Sequence, residues 1–234
     1  VLQFNPSLPV YTESGEFAGP VGGYPDRENP VARLERNKDN RYTYWRTFGD
    51  AYINLAPFKG FNARTTFGID YSQKSQRIFT YPITEGTVAN STNGVEAKQE
   101  HWMRWMWNLV ANYNIDFGKN HFDVLAGVEL NREDDTWFSG YKSDFVILNP
   151  DYMWPDAGSG TALAYGSGSG YSLVSFFGKA NYSFDNRYLL GLTLRRDGSS
   201  RFGKENRYAT FPSVSLGWRI NNEKFTVSYT HLRA

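Results

Sequence analysis

The sequence predicts an all-β protein, a fragment of an antiparallel transmembrane β-barrel. Three observations support this fold class: about seven segments in which apolar and polar residues alternate, connections that alternate between short and long, and an aromatic content of 17%. A period of two is typical of a strand with one apolar and one polar face. Outer-membrane barrels combine such strands with tight turns at one end and long loops at the other.

Composition excludes several classes of function. The 234 residues carry 25 Lys and Arg against 24 Asp and Glu, so there is no basic field that would attract nucleic acid. The absence of cysteine excludes disulfide frameworks, cysteine-ligated zinc and thiol nucleophiles. No run approaches the roughly 18 apolar residues of a membrane-spanning helix.

The segments follow one another from residue 41 onward. Residues 1–40 are broken up by proline and glycine and predict loop. The clearest alternation begins at Phe61, where the odd positions up to Tyr71 are mostly apolar and the even positions polar. The predicted strands cover 41–55, 61–72, 104–117, 121–131, about 173–184, 188–197 and 213–220.

The connections distinguish a barrel from a soluble sandwich. The links at 57–60, 118–120 and 185–186 are two to four residues long, whereas those at about 73–98, 132–170 and 198–210 are long. Both ends of a sandwich face water, so a sandwich has no reason to alternate link lengths in this way. We therefore expect short periplasmic turns, long extracellular loops, and residues 1–40 in an extracellular loop region.

Alternation also predicts which side chains face the barrel lumen. Phe67 and Ile69 have the apolar parity and are expected to meet lipid. Polar residues of the opposite parity are expected to line the lumen: Arg64, Asp70, Arg104, Asn108, Asp123, Glu129 and Arg195. Asp197, close to Arg195 and Arg196, is interpreted as a strand-end ion pair rather than a catalytic carboxylate.

One block of the sequence resembles a known family. The block contains Asn186-Arg187-Tyr188-Leu189-Leu190, the run from Arg195 to Gly203, Phe211-Pro212-Ser213, and Gly217-Trp218-Arg219-Ile220 followed by Asn222-Glu223-Lys224-Phe225. These motifs resemble the SusC/RagA family of TonB-dependent outer-membrane transporters. Upstream, Asn29-Pro30-Val31-Ala32 and the strand from Phe67 to Tyr71 are similar to the same family, so that the resemblance covers about residues 29–225.

The resemblance implies a 22-stranded barrel with an N-terminal plug, a segment that contacts TonB and a SusD-like surface lipoprotein, in the outer membrane of a Gram-negative bacterium. About seven strands are predicted here, without plug or TonB box, so residues 41–225 are expected to be a partial barrel within a fragment. Residues 226–234 depart from the family pattern, and Tyr229 to Ala234 resembles translated sequencing adapter. We therefore expect a non-native tail.

The residues suggest no catalytic, metal or cofactor site. The three histidines lack metal-ligand spacing. Glu133-Asp134-Asp135 could bind Ca²⁺, but a solvated loop is the favoured interpretation. The glycine-serine runs at 158–160 and 166–170 fit no phosphate-binding pattern and predict flexible loop. A single segment has ligand-binding character, because aromatic rings stack on sugars while carboxylates bind hydroxyls; its candidate contacts are Tyr152, Trp154 and Asp156.

Three functional hypotheses follow. The first is part of a TonB-dependent active transporter that imports oligosaccharides or peptides, and is not an enzyme. The second is a passive porin-like channel, which shares every strand feature. The third is a soluble carbohydrate-binding β-sandwich, which would fold in buffer without detergent.

Overall fold

The computed structural model describes residues 7–21, 28–223 and 225. Seven long strands form one sheet in the order β1-β2-β5-β6-β7-β8-β9, while β3 and β4 form a separate antiparallel pair. The elements are α1 Pro30–Asn37, β1 Arg41–Leu55, β2 Phe61–Thr80, β3 Ile83–Glu85, β4 Val88–Asn90, β5 Gly94–Phe117, β6 Asn120–Ser143, β7 Leu163–Phe184, β8 Tyr188–Ser199 and β9 Tyr208–Trp218, with short 3-10 turns at Pro155–Ala157, Lys204–Asn206 and Ile220–Asn222.

The long sheet confirms the predicted fold class of an antiparallel transmembrane β-barrel fragment, which is not closed within this chain. All seven predicted strands are present, and each long strand lies beside its nearest long neighbour in sequence. The connections at 56–60, 118–119 and 185–187 are short, as predicted. In the described part of the chain the remaining sheet is the two-stranded β3–β4 pair, so there is no second large sheet with which to build a sandwich.

The predicted extent of the long links was wrong. β2, β5, β6 and β7 contain 20, 24, 24 and 22 residues, so most of 73–98 and much of 132–170 is strand. The true connections are 81–93, 144–162 and 200–207. The backbone of a strand can stay paired where the side chains on both faces are polar, and there the period of two disappears from the sequence.

The glycine-serine run at 166–170 is strand β7 rather than flexible loop. A Cβ atom added at Gly170 would lie 2.7 Å from Oδ1 of Asp134, and one added at Gly166 would lie 3.2 Å from the carbonyl oxygen of Trp137. β6 approaches these positions so closely that a side chain at either one would force atoms of β6 to move. The acidic run Glu133-Asp134-Asp135 likewise lies within β6 and not in a loop.

The turn between β7 and β8 has the geometry that its residues predict. Asp185 and Asn186 both have a φ of 52°, in the left-handed region. Asp and Asn adopt this region more readily than most residues, and positive φ at both central positions is the requirement of a type I′ hairpin turn. With Arg187 as one further residue in the connection, Phe184 pairs with Tyr188, and the pairing continues to Leu173–Ser199.

Helix α1 forms within the stretch that was predicted to be loop. The side-chain oxygen of Asn29 accepts a hydrogen bond from the backbone N–H of Val31 at 3.0 Å, and Pro30 follows as the first helical residue. The amide of Asn29 donates to the carbonyl oxygens of Val10 and Ala18, both at 2.8 Å. The helix has eight residues, little more than two turns.

The chain divides into two compact units. The loop unit contains residues 1–46, 72–102 and 135–168, and the sheet unit contains 47–71, 103–134 and 169–234. The loop unit has a buried apolar cluster of Phe79, Val95, Phe145 and Met153, against which Tyr81 packs. Among the described residues no helix combines the length and apolar character needed to cross a membrane. The predicted non-native tail, 226–234, lies outside the described residues.

Candidate functional site

One face of the sheet unit is apolar and exposed. The register of β8 and β9 places Leu190 opposite Leu216, Leu192 opposite Val214 and Leu194 opposite Pro212. Leu216 is 83% exposed and Val214 68%. On the same face of β7, the pairing with β8 places Ala180 opposite Leu192 and Tyr182 opposite Leu190. Contiguous exposed apolar side chains of this kind are rare on proteins that are surrounded by water.

The opposite face is polar and internally bonded. Phe177 pairs with Arg195 and Ser175 with Asp197 across β7 and β8. Nε of Arg195 donates to Oδ1 and Oδ2 of Asp197 at 2.8 and 2.9 Å, and Nη2 donates to Oγ of Ser175 at 3.0 Å. Glu129 interacts electrostatically with the same guanidinium. The ion pair predicted from the sequence is confirmed.

Asp123 links three strands on the polar face. Its two carboxylate oxygens accept hydrogen bonds from Nδ2 of Asn112 in β5, at 3.1 Å, and from Nδ2 of Asn181 in β7, at 3.2 Å. Asp123 and Asn181 also line an open cavity of about 930 Å³, which reaches His121 near the β5–β6 turn. The carboxylate of Asp123 therefore both links neighbouring strands and lines the cavity.

The remaining candidates of this parity lie on the first strands. The guanidinium of Arg64 stacks on the ring of Tyr52, with Cζ 3.8 Å from the ring centroid. Asp70 and Arg104 come together in a cavity of about 260 Å³, which Met106 also lines. Asn108 contributes its backbone carbonyl, which accepts a hydrogen bond from Oγ1 of Thr65 at 3.1 Å. The seven predicted residues therefore form local clusters and no single site.

The aromatic segment after β6 is held by one buried anchor. Met153 is fully buried with Phe79, Val95 and Phe145. The next residue, Trp154, is 56% exposed, and the guanidinium carbon of Arg77 lies 4.1 Å from its ring centroid. Trp154 lines a groove of about 540 Å³. Tyr152 and Asp156 are exposed and are not among the residues that line this groove.

The contacts of Glu223 are not evident from the sequence. Its Oε1 accepts hydrogen bonds from Nε1 of Trp218 and from the hydroxyl of Tyr188, both at 3.0 Å, and Oε2 accepts from Arg187 at 3.3 Å. The indole of Trp218 holds the pKa of this carboxyl below its usual value of 4.5, assisted by Tyr188 and Arg187 and opposed by burial. The family-like motifs thus meet at one corner, although they are about 35 residues apart in sequence.

The part of the chain that the structure describes offers no arrangement for a metal ion. Among the described residues, no group of three or more His, Cys, Asp or Glu side chains is placed to hold one. Within the acidic run of β6, Oδ2 of Asp134 accepts from Arg132 at 2.8 Å and Glu133 accepts from the hydroxyl of Tyr171 at 3.3 Å. The partners of these carboxylates are therefore side chains of the sheet itself.

The two-faced sheet matches the barrel of a known protein family. The family model "TonB dependent receptor-like, beta-barrel" matches residues 2–231. The chain belongs to the TonB-dependent receptor β-barrel family. TonB-dependent receptor SusC of Bacteroides thetaiotaomicron is 30% identical over an alignment of 249 positions, which covers 96% of this chain and 24% of SusC. The predicted resemblance to SusC/RagA is thereby confirmed.

Solved structures agree on the fold. The structure of the RagAB peptide transporter superposes with a TM-score of 0.76 at 20% identity, over 91% of this chain and 24% of that one. The RagAB peptide importer in its "closed-closed" state gives a TM-score of 0.75. The chain thus spans about a quarter of the length of these relatives. Proteins of this family are outer-membrane proteins of Gram-negative bacteria, and these relatives are receptors and transporters rather than enzymes.

Proposed function

We propose that this chain is part of the barrel wall of an active transporter in the outer membrane of a Gram-negative bacterium, which imports glycans or peptides with a SusD-like lipoprotein. The observation that carries the proposal is the sheet with one exposed apolar face and one bonded polar face. Lipid is the solvent in which Leu216 and Val214 can remain exposed at low cost, and the backbone groups of β9 that face β8 are paired in the ladder.

The polar face is proposed to line the lumen. Arg64, Asp70, Arg104, Asn108, Asp123, Glu129 and Arg195 would then face the plug or the path of the substrate. Arg195 is paired with Asp197, and the carboxylate of Asp123 accepts hydrogen bonds from two amides. Such pairs keep the wall rigid while presenting a hydrated surface to a solute, and they do not carry out chemistry on it.

Energy-dependent import distinguishes the proposed transporter from a passive channel. Family membership supports it, because in TonB-dependent proteins the energy comes from the inner membrane through a plug and TonB. These parts would lie in other segments of the whole protein. The residues described here would contribute the wall and its loops, and the moving parts would be elsewhere.

Uptake by the full-length protein tests this distinction. Cells that express it would be given fluorescent oligosaccharides or peptides, with and without a functional TonB, and accumulation would be measured. The proposal expects accumulation to stop when TonB is deleted or when the proton gradient is collapsed. Uptake that continues at the same rate in both cases would support the passive channel and overturn the proposal.

The partner can be tested separately. The name RagAB denotes a two-component assembly for the neighbouring structures, which supports a lipoprotein partner for this protein as well. The full-length protein, purified in mild detergent from its host, is expected to carry a surface lipoprotein of SusD type in a stable ratio. Recovery of the transporter without such a lipoprotein would contradict this part of the proposal.

A further inference from the structure

The groove beside Trp154 has the size and the lining of a small-ligand site. Its volume is about 540 Å³, within the range of pockets that bind small molecules. The lining includes Trp154, Asp151, Gln99, Thr43, Arg41 and Phe138. None of the seven residues proposed to face the lumen lines it. The groove is therefore a separate feature, and its occupation does not depend on the proposed import path.

The ring of Trp154 is fixed before any ligand arrives. Its neighbour Met153 is fully buried, so the backbone at this point is anchored in the apolar cluster of the loop unit. On the ring itself, the guanidinium carbon of Arg77 lies 4.1 Å from the centroid, and Nη2 of Arg77 donates to the carbonyl oxygen of Pro150 at 2.9 Å. A ring held in this way loses little conformational freedom on binding, which favours affinity.

The chemistry of the lining is that of a site for a sugar. Arg77 also lines the groove and covers part of the Trp154 ring, but Trp154 is still 56% exposed, and the uncovered part of the ring offers an apolar surface for the C–H groups of a pyranose. Around it, the carboxylate of Asp151 and the amide of Gln99 can accept and donate hydrogen bonds, and Thr43 adds a hydroxyl. The exposed guanidinium of Arg41 supplies donors that suit a sugar hydroxyl or carboxylate.

We propose that this groove binds one pyranose ring of an oligosaccharide, stacked on Trp154 and hydrogen-bonded by Asp151 and Gln99. The site would hold a glycan chain at the loop unit without being part of the polar face of the sheet. Of the three contacts expected from the sequence, Trp154 is retained, while Asp151 replaces Asp156 and Tyr152 is left out.

Calorimetric titration of the full-length transporter in detergent tests the proposal. The probes are maltohexaose, cellohexaose and the hexamer of galacturonic acid, with hexa-alanine as the peptide probe. Binding elsewhere in the transporter would persist in all variants, so the quantity of interest is the binding that Trp154→Ala removes. We expect that variant to weaken this component for at least one saccharide by about tenfold or more, as for other aromatic hot spots.

Two further variants keep the test decisive. Tyr152→Ala removes an exposed ring from the same segment that does not line the groove, and we expect it to leave saccharide binding within about twofold. Folding of each variant is judged by heat-modified gel mobility. Asp151→Asn preserves the Trp154 ring and should weaken the same binding component, so it provides the test if Trp154→Ala does not fold. The proposal is overturned if neither Trp154→Ala nor Asp151→Asn affects any saccharide, or if the component they remove belongs to hexa-alanine.

Discussion

The loop unit and the sheet unit place their large apolar side chains in opposite environments. In the loop unit, Met153 is 0% exposed and packs with Phe79, Val95 and Phe145. In the sheet unit, Leu216 is 83% exposed. Because apolar side chains avoid water throughout one chain, this difference in exposure indicates that the two units have different surroundings. The loop unit has the buried core of a protein in water, and we propose that the apolar face of the sheet unit meets lipid.

The polar side chains of the two units also have different hydrogen-bond partners. In the loop unit they hold loops together: Nδ2 of Asn93 donates to the carbonyl of Phe145 at 3.1 Å, and the N–H of Phe145 donates to Oδ1 of Asn93 at 2.7 Å. Burial and the nearby Asp39 raise the pKa of Tyr81 to about 12. In the sheet unit, polar side chains bond across neighbouring strands on one face. The polar contacts of the loop unit thus fix loops, whereas those of the sheet unit tie neighbouring strands together.

The largest effect is expected where the loop unit has its core. Met153→Ala should destabilise this unit by about 2–5 kcal/mol, because truncation of a buried Met leaves a cavity among the surrounding rings. Hydrogen exchange at the backbone amides of 144–162 in the full-length protein would measure the loss. Tyr152→Ala, at a residue that is 64% exposed, is the matched control and should change exchange little. Equal protection in both variants would mean that the cluster does not anchor these loops.

A smaller effect is expected on the apolar face of β9. Val214→Arg should cost about 2–4 kcal/mol if this side chain lies near the bilayer midplane. Ser213→Arg, one position away on the other face, should cost much less because a charge there meets the hydrated side. Folding yield into lipid vesicles, scored by heat-modified gel mobility, compares the two variants. Similar yields for both substitutions would show that the two faces of β9 do not have different solvents.

The smallest expected effect concerns the corner around Glu223. The pKa of this carboxyl is held below 4.5, so its contribution to stability is fully present above that pH and is lost as the pH falls through the lower, folded value. Glu223→Gln should remove this acid-dependent loss. Thermal unfolding of the full-length protein in detergent at pH 7 and at steps below pH 4.5 would measure it. A pH dependence that is identical in the variant and the parent would mean that Glu223 contributes nothing to it.

Local chemistry made much of this fold predictable. Alternation from Phe61 to Tyr71 identified β2, and Asp185-Asn186 identified the turn between β7 and β8, because each pattern depends on residues that are neighbours in sequence. The outer ends of β5, β6 and β7 could not be predicted in this way, since a strand with polar residues on both faces has no period to detect. The glycines of β7 predicted a flexible loop, because the sequence does not indicate that Asp134 lies beside Gly170.

Contacts between distant residues were the main limit for the candidate site. Trp154 was identifiable as a ring of ligand-binding character, but nothing local indicates that Arg77, 77 positions earlier by the residue numbers, stacks on it. Glu223 belongs to a family-like motif, yet its bonds to Tyr188 and Arg187 depend on the pairing of β8 with β9. The alternation along each strand identified its polar residues. The hydrogen bond between Asp123 and Asn181 could not be predicted in this way, because it depends on how β6 and β7 pair.

The central claim is that the apolar face of the sheet unit meets lipid and the polar face meets water. Single cysteines at residues 213–218 of an otherwise cysteine-free full-length protein, spin-labelled in lipid vesicles, test it most directly, and this chain contributes no native cysteine to interfere. We predict that labels at Val214, Leu216 and Trp218 are accessible to oxygen dissolved in lipid, and that labels at Ser213, Ser215 and Gly217 are accessible to a water-soluble nickel complex. Accessibility to the nickel complex that is equal at both parities would contradict the claim.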